Sequence, residues 1–163
     1  KIAPMIIAFP HNQVNILDYN RVVKTRLKFE KINKIISKNF SVKISEKDNK
    51  LKQNQIEMYV NRKWYTIQAY KQSKELDVTI LRKLILNKIL KSKKNIKFVS
   101  GFKGKKALEN FVNSKKYNLA FRLYPTNISQ VLSFAEKKKY MPQKSTWFHP
   151  KPLDGLISSR IIS

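Results

Sequence analysis

Two runs of alternating apolar residues stand almost back to back in this chain: Ile56, Met58 and Val60 lie before Asn61 and Arg62, and the stretch 64–69 lies after them. Successive side chains of a β-strand point to opposite faces, so alternation of period two marks a strand with one buried side. A gap this short leaves room only for a tight turn, and the pair is expected to form a β-hairpin.

Strand and helix patterns alternate around it. Upstream, Leu27, Ile32, Ile35 and Ile36 fall mostly at three- and four-residue spacing, which predicts a helix over 25–39, and Phe40, Val42 and Ile44 then alternate as a strand. Residues 46–54 are polar, lysine-rich and without apolar period, as expected of an exposed loop that tolerates trimming. Downstream, Asp77 is placed to offer a side-chain oxygen to the free amides of a helix carrying Val78, Leu81, Leu84, Ile85 and Leu90. A strand over 95–100, a helix over 105–114 and a strand over 118–124 follow, the last with Leu119, Phe121 and Leu123 facing one way. The next helix begins at about Asn127 with Ile128, Val131, Leu132 and Ala135 as its apolar stripe, and it ends in the charged run 136–139. Residues 155–162 are the last strand candidate. Helices alternating with strands pack on a sheet, and the hairpin makes that sheet mixed. The expected class is therefore α+β, a mixed β-sheet with packed helices in one domain over residues 1–163.

A chain of 163 residues can close one core. It opens on Lys1, and residues 1–10 already read as a buried apolar segment, so we expect the carboxy-terminal part of a longer protein, a partial domain of a larger α/β protein. The apolar run 2–9 is too short to span a bilayer and no small-residue cleavage site follows it, which points to a cytoplasmic protein with no membrane partner. The absence of cysteine excludes a disulfide framework, thiolate metal sites and a cysteine nucleophile.

The formal net charge of +25 attracts polyanions at low salt, and a basic nucleic-acid-binding module is one reading of it. The balance of 29 lysines against 6 arginines favours another. Arginine carries the planar fork that reads guanine edges, whereas lysine accumulates without regard to geometry under the compositional bias of an AT-rich genome. Only general polyanion attraction is taken from the charge.

The stretch with most chemistry is 141–151, Met-Pro-Gln-Lys-Ser-Thr-Trp-Phe-His-Pro-Lys. Its prolines fix φ and remove local donors, so the segment is held in one extended shape outside any helix. Lys144 and Lys151 are suited to neutralise phosphate or carboxylate oxygens, Ser145 and Thr146 to donate to the same anion, and Trp147 and Phe148 to bury one side of the loop. Fastening a loop to a core is the competing role for such prolines and aromatics. Asp18 and Arg21 either orient a polar substrate or close a structural ion pair. His149 is a weaker candidate, as a proton carrier. Gly101 lies in Ser-Gly-Phe-Lys-Gly-Lys between a strand and a helix, where a glycine loop can aim amides at phosphate, but the P-loop spacing is not met and a plain turn is favoured. With no His-Glu-x-x-His and no carboxylate cluster, no metal site is expected.

The 141–151 block, followed by Gly155 and Leu156, resembles the terminal signature of the domain-of-unknown-function family 1015. Other segments are similar in order: Phe9-Pro10, residues 16–24, Lys63-Trp64-Tyr65, residues 77–81, and Ala120-Phe121 with Leu123-Tyr124-Pro125-Thr126. That family is distantly similar to free-serine kinases and to the ParB-like fold. Its complete members carry an upstream Asp-Gly-His-His-Arg block that this chain lacks. The resemblance implies ATP-dependent phosphorylation of free L-serine, with ATP and Mg2+ as cofactors of the full-length protein and neither assignable to these residues. It also implies a small anionic substrate and, as a partner, the missing amino-terminal part of the same protein, without which the chain is expected to be inactive. Lys144, Ser145, Thr146, Lys151, Arg21 and Asp18 are then the expected substrate- or phosphate-binding residues, with His149 and Gly101 behind them. The alternatives are the nucleic-acid-binding module and a truncated, non-catalytic remnant.

Overall fold

The computed structural model describes residues 8–46, 50–90 and 92–151. Residues 1–7 of the apolar segment expected over 1–10 and the strand candidate at 155–162 lie outside the described residues, and the remainder of that segment, 8–10, is exposed rather than buried. Eight strands are described: β1 (Asn15–Leu17), β2 (Tyr19–Val23), β3 (Phe40–Ile44), β4 (Gln55–Val60), β5 (Lys63–Ala69), β6 (Ile96–Ser100), β7 (Leu119–Leu123) and β8 (Trp147–His149). The helices are α1 (Phe29–Ile36), α2 (Asp77–Leu81), which runs through a π-helical stretch Arg82–Leu86 into α3 (Asn87–Ile89), then α4 (Gly104–Asn113) and α5 (Ile128–Glu136). Among the described residues no helix is long and apolar enough to cross a membrane.

The hairpin forms where it was expected. Asn61 and Arg62 take φ of 50° and 60°, the left-handed backbone that lets a two-residue turn follow the twist of the strands it joins. β4 and β5 belong to a six-stranded sheet of order β3-β5-β4-β7-β2-β6, while β1 and β8 form a separate two-stranded ladder. The class is α+β, as expected. Every ladder among the described residues is antiparallel, so the parallel component of the expected mixed sheet is not found there.

Alternation sorts the sheet into two faces. Ile56, Met58 and Val60 of β4 share one face with Leu119, Phe121 and Leu123 of β7, all buried against α1 and the α2–α3 segment through Ile32, Ile36, Leu81, Ile85 and Ile89. Each such side chain, fully buried, stabilises the fold by roughly 1.5–3 kcal/mol relative to exposure. On the other face Val22, Tyr59, Val99 and Ala120 pack against Leu108, Phe111 and Val112 of α4.

Several boundaries differ from the sequence expectation for identifiable reasons. Helix α1 starts at Phe29 rather than Thr25, because Thr25 is held by distant partners: its Oγ1 donates to the Ile89 carbonyl and its amide donates to Asn118 Oδ1. Asp77 does not cap its helix. The first turn closes on the Leu76 carbonyl, and Asp77 Oδ1 instead accepts from the Asn54 amide. The exposed part of 46–54 is shorter than expected, since Leu51 and Asn54 are buried. At α5 the Asn127 side chain accepts from the Gln130 amide, and the Gln130 side chain accepts from the Asn127 amide, a reciprocal cap. Leu132, expected on its apolar stripe, is exposed, and Phe134 packs toward the core instead.

Candidate functional site

After α5 the 141–151 segment is fastened at three points. Arg21 Nη2 donates to the Lys144 carbonyl at 2.9 Å, Thr126 Oγ1 donates to the Ser145 carbonyl at 3.1 Å, and β8 pairs with β1 through Leu17 and Trp147, Ile16 and Phe148, Asn15 and His149. Lys144 adopts φ of 56°, and this left-handed residue turns the chain so that its own carbonyl faces Arg21. The segment therefore contains a short strand rather than only an extended loop.

The side chains of this segment take distinct positions. The Lys144 ammonium lies 5.3 Å from the ring centre of Tyr19 and the Lys151 ammonium 4.0 Å from that of Trp147, and these two rings meet edge to face at 5.4 Å. One aromatic pair thus carries both ammonium groups, each attracted by the ring's negative face. Ser145 is buried, Thr146 half-buried, and His149 stacks on Phe102 at 5.4 Å.

Arg21 is the joint between this segment and the sheet. It is only 2% exposed, its Nη1 donates to the Tyr19 carbonyl, and its guanidinium lies 5.3 Å from the ring centre of Phe98. Burial lowers its pKa to about 10, against a smaller opposing pull from the charge of Asp18. The Asp18 carboxyl is itself pushed up by burial, partly countered by backbone amides and by Arg122 and Arg21, and its Oδ2 has no hydrogen-bond partner. The Asp18 main-chain carbonyl accepts from the Gly101 amide at 2.8 Å. A Cβ at Gly101 would stand 2.4 Å from Asp18 Oδ1 and 2.8 Å from its carbonyl oxygen. Close approach is therefore a sufficient reason for glycine at this position, in keeping with a turn.

Arg21 also lines a cavity of about 360 Å³ that sequence reasoning did not find. Its walls are Ile96 and Phe98 from β6, Val78, Arg82, Leu86, Asn87 and Leu90 from the α2–α3 segment and the residue after it, then Ser92, Pro142 and Gln143. Of the expected binding residues only Arg21 lines it; the 141–151 segment contributes Pro142 and Gln143 rather than its lysines and hydroxyls.

A second polar cluster lies on the α4 face. Glu57 is fully buried and takes Lys105 Nζ at 2.9 Å and Arg122 Nη1 at 2.7 Å. Lys105 also stands 4.9 Å from the ring centre of Trp64, whose Nε1 donates to Glu109. The alternation of β4 already turned Glu57 away from the Ile56 face, but nothing local indicated that α4 would cover it. Among the described residues no group of three or more His, Cys, Asp or Glu converges as a metal site.

Comparison with known proteins places this architecture. The chain matches the profile described as "Protein of unknown function (DUF1015)" over residues 3–85, about half its length. The chain belongs to this family. No curated protein matches it. Among solved structures it is similar to a conserved hypothetical protein from Pyrococcus furiosus, with TM-score 0.56 and 14% identity over 83% of this chain and 56% of that one. It is also similar to free serine kinase, in a glutamate-to-alanine mutant in complex with AMP, with TM-score 0.59 and 11% identity over 88% of this chain and 57% of the other. The same kinase in complex with ADP gives TM-score 0.56 and 13% identity over the same shares. At these identities the likeness is one of fold, and the chain spans little more than half the length of the structures it matches.

Proposed function

We propose that the chain is the carboxy-terminal portion of a small-molecule phosphotransferase of the free-serine-kinase kind, in which the 141–151 segment helps to hold the anionic substrate. The observation that carries this reading is the three-point fastening of that segment, which keeps the Lys144 and Lys151 ammonium groups on one aromatic pair. Phosphoryl transfer asks of a protein mainly positioning and charge neutralisation, and two pre-positioned cations supply both without covalent chemistry. The shared fold with a kinase solved in complex with AMP and with ADP supports the same reading.

In this scheme the γ-phosphoryl group of ATP passes to the serine hydroxyl, leaving ADP, O-phosphoserine and a proton. ATP and Mg2+ are assigned to the portion of the protein beyond this chain. Lys144 and Lys151 attract the carboxylate or phosphate of the substrate, and Arg21 fixes the backbone that carries Lys144. The test is turnover of ATP and L-serine by the full-length protein, followed as O-phosphoserine by phosphorus NMR. Lys144→Ala should lower kcat/KM for serine by about tenfold or more while leaving the circular dichroism unchanged, the loss of one charge-assisted contact. Absence of O-phosphoserine from the wild-type protein rejects the kinase reading, and unchanged kinetics in the variant remove Lys144 from it.

A further inference from the structure

A buried guanidinium usually has a carboxylate beside it, because an unneutralised charge in a low-dielectric interior is costly. Among the described residues Arg21 has none at ion-pair distance, although the charge of Asp18 acts on it from farther away. The described ion pairs join Lys83 to Glu75, and Lys105 and Arg122 to Glu57, while the described hydrogen bonds of Arg21 run to the neutral carbonyls of Tyr19 and Lys144. A guanidinium has five N–H donors, and these bonds engage only its two terminal nitrogens. The residue nevertheless borders an open cavity of about 360 Å³, a volume within the range of small-molecule sites.

The opposite wall supplies a second cation. Val78, Arg82, Leu86 and Leu90 recur every four residues, a row that drifts by about 40° per step around an ordinary α-helix. Through Arg82–Leu86 the helix is π-helical, and its wider turn takes back that drift, so all four residues reach the cavity wall. The rest of the lining is divided between apolar Ile96, Phe98 and Pro142 and polar Asn87, Ser92 and Gln143.

We propose that the cavity between β2, β6 and the α2–α3 segment binds a small organic anion with an apolar body, its phosphate or carboxylate held between Arg21 and Arg82. The anion neutralises Arg21 where the protein has already removed it from solvent, and the apolar part lies against Leu86, Leu90, Ile96 and Phe98. The proposal shares Arg21 and one end of the 141–151 segment with the phosphotransferase reading but does not rest on it, since it concerns binding and assigns a further residue, Arg82.

Isothermal titration calorimetry on the full-length protein at physiological salt tests it, with phenyl phosphate, phenylacetate, inorganic phosphate and benzyl alcohol as probes. One of the two aromatic anions should bind with one-to-one stoichiometry, at least about tenfold tighter than inorganic phosphate or benzyl alcohol, and the tighter of the two identifies the headgroup. Arg82→Ala, on an exposed helical position that tolerates truncation, should weaken that binding about tenfold or more, whereas Lys88→Ala, off the cavity wall, should not. Equal affinity for inorganic phosphate, equal losses in the two variants, or no heat from either aromatic anion overturns the proposal, because the first two are the marks of general attraction to a protein of charge +25. Turnover of serine does not enter this readout, so its failure and the failure of the kinase reading remain distinguishable.

Discussion

Glu57 and Arg21 are both removed from solvent in the same six-stranded sheet, and their surroundings differ in kind. Glu57, on the α4 face, receives a lysine and an arginine, each within 3 Å. Arg21, on the α2–α3 face, receives two main-chain carbonyls and borders a cavity. The first charge is neutralised by direct ion pairs within the fold, and the second is hydrogen-bonded but, among the described residues, has no carboxylate at ion-pair distance. Asp18 connects the two regions, since both Arg122 and Arg21 act on its carboxyl. The contrast separates a structural charge from one available to a ligand, and substitutions at four positions can break or sharpen it.

The largest effect is expected at Glu57. Glu57→Gln keeps the shape but leaves Lys105 and Arg122 without their counter-charge, and breaking a buried ion pair in this way costs about 3–5 kcal/mol. Because both partners are partly exposed, the lower end of that range is expected in urea denaturation at neutral pH. A loss below about 1 kcal/mol would erase the distinction, since Glu57 would then be no more structural than an exposed ion pair.

Asp77 is a third buried ionisable group, and among the described residues it has an amide but no cation. Burial raises its carboxyl from 3.8 to about 6, with the Asn54 amide pulling weakly the other way. The unfolded chain releases this proton near 3.8 and the folded chain only near 6. The stabilisation is complete below pH 3.8 and is lost as pH rises to about 6. Asp77→Asn retains an acceptor for the Asn54 amide and removes the desolvated charge. It should raise stability at pH 7 by about 2 kcal/mol, leave it unchanged at pH 3, and flatten the slope between. Thermal melts across that range decide it; a slope that survives the substitution assigns the titration elsewhere.

These three groups also mark how far the sequence could be read. Period-two alternation located β4 and β5 and their turn, because hairpin geometry is local. The same alternation placed Glu57 opposite Ile56 without revealing whether that side meets water or a helix, because α4 lies some fifty residues away. β2 was not read as a strand: Asn20 and Arg21 interrupt its apolar run, and both are polar residues buried for specific partners, with Asn20 Oδ1 accepting from the Leu123 amide. β1 and β8 are three residues each, too short to show a period. The blocks containing Asp18, Arg21 and Lys144 were each singled out, but the bond that unites them spans 123 positions and had no local sign. Arg82, Asn87 and Ser92 belong to no pattern; only the folded chain brings them to one cavity.

Arg21→Met should cost less than either change above in magnitude, about 1 kcal/mol, because removal of an unneutralised charge offsets the loss of two hydrogen bonds. Hydrogen exchange should accelerate at β8, whose preceding turn is held by the Lys144 carbonyl, while β4 and β5 remain protected. A loss equal to that of Glu57→Gln would place Arg21 among the structural charges and remove the contrast.

The smallest effect is expected at Lys83, whose ammonium meets Glu75 at 2.5 Å, a shorter contact than either of those made by Glu57. Distance alone would rank it first. Both side chains are about half exposed, so water screens the attraction and two long side chains lose rotamer freedom in forming the pair. The chain also carries an excess of 25 positive charges, and deleting one lysine relieves repulsion that partly cancels what the pair contributes. Lys83→Ala should therefore change stability by no more than about 0.5 kcal/mol, in either direction, with the difference shrinking further as salt rises. A loss approaching that of Glu57→Gln would mean that contact distance, rather than exclusion of water, ranks the charges of this sheet, and Arg21 could no longer be singled out by its burial.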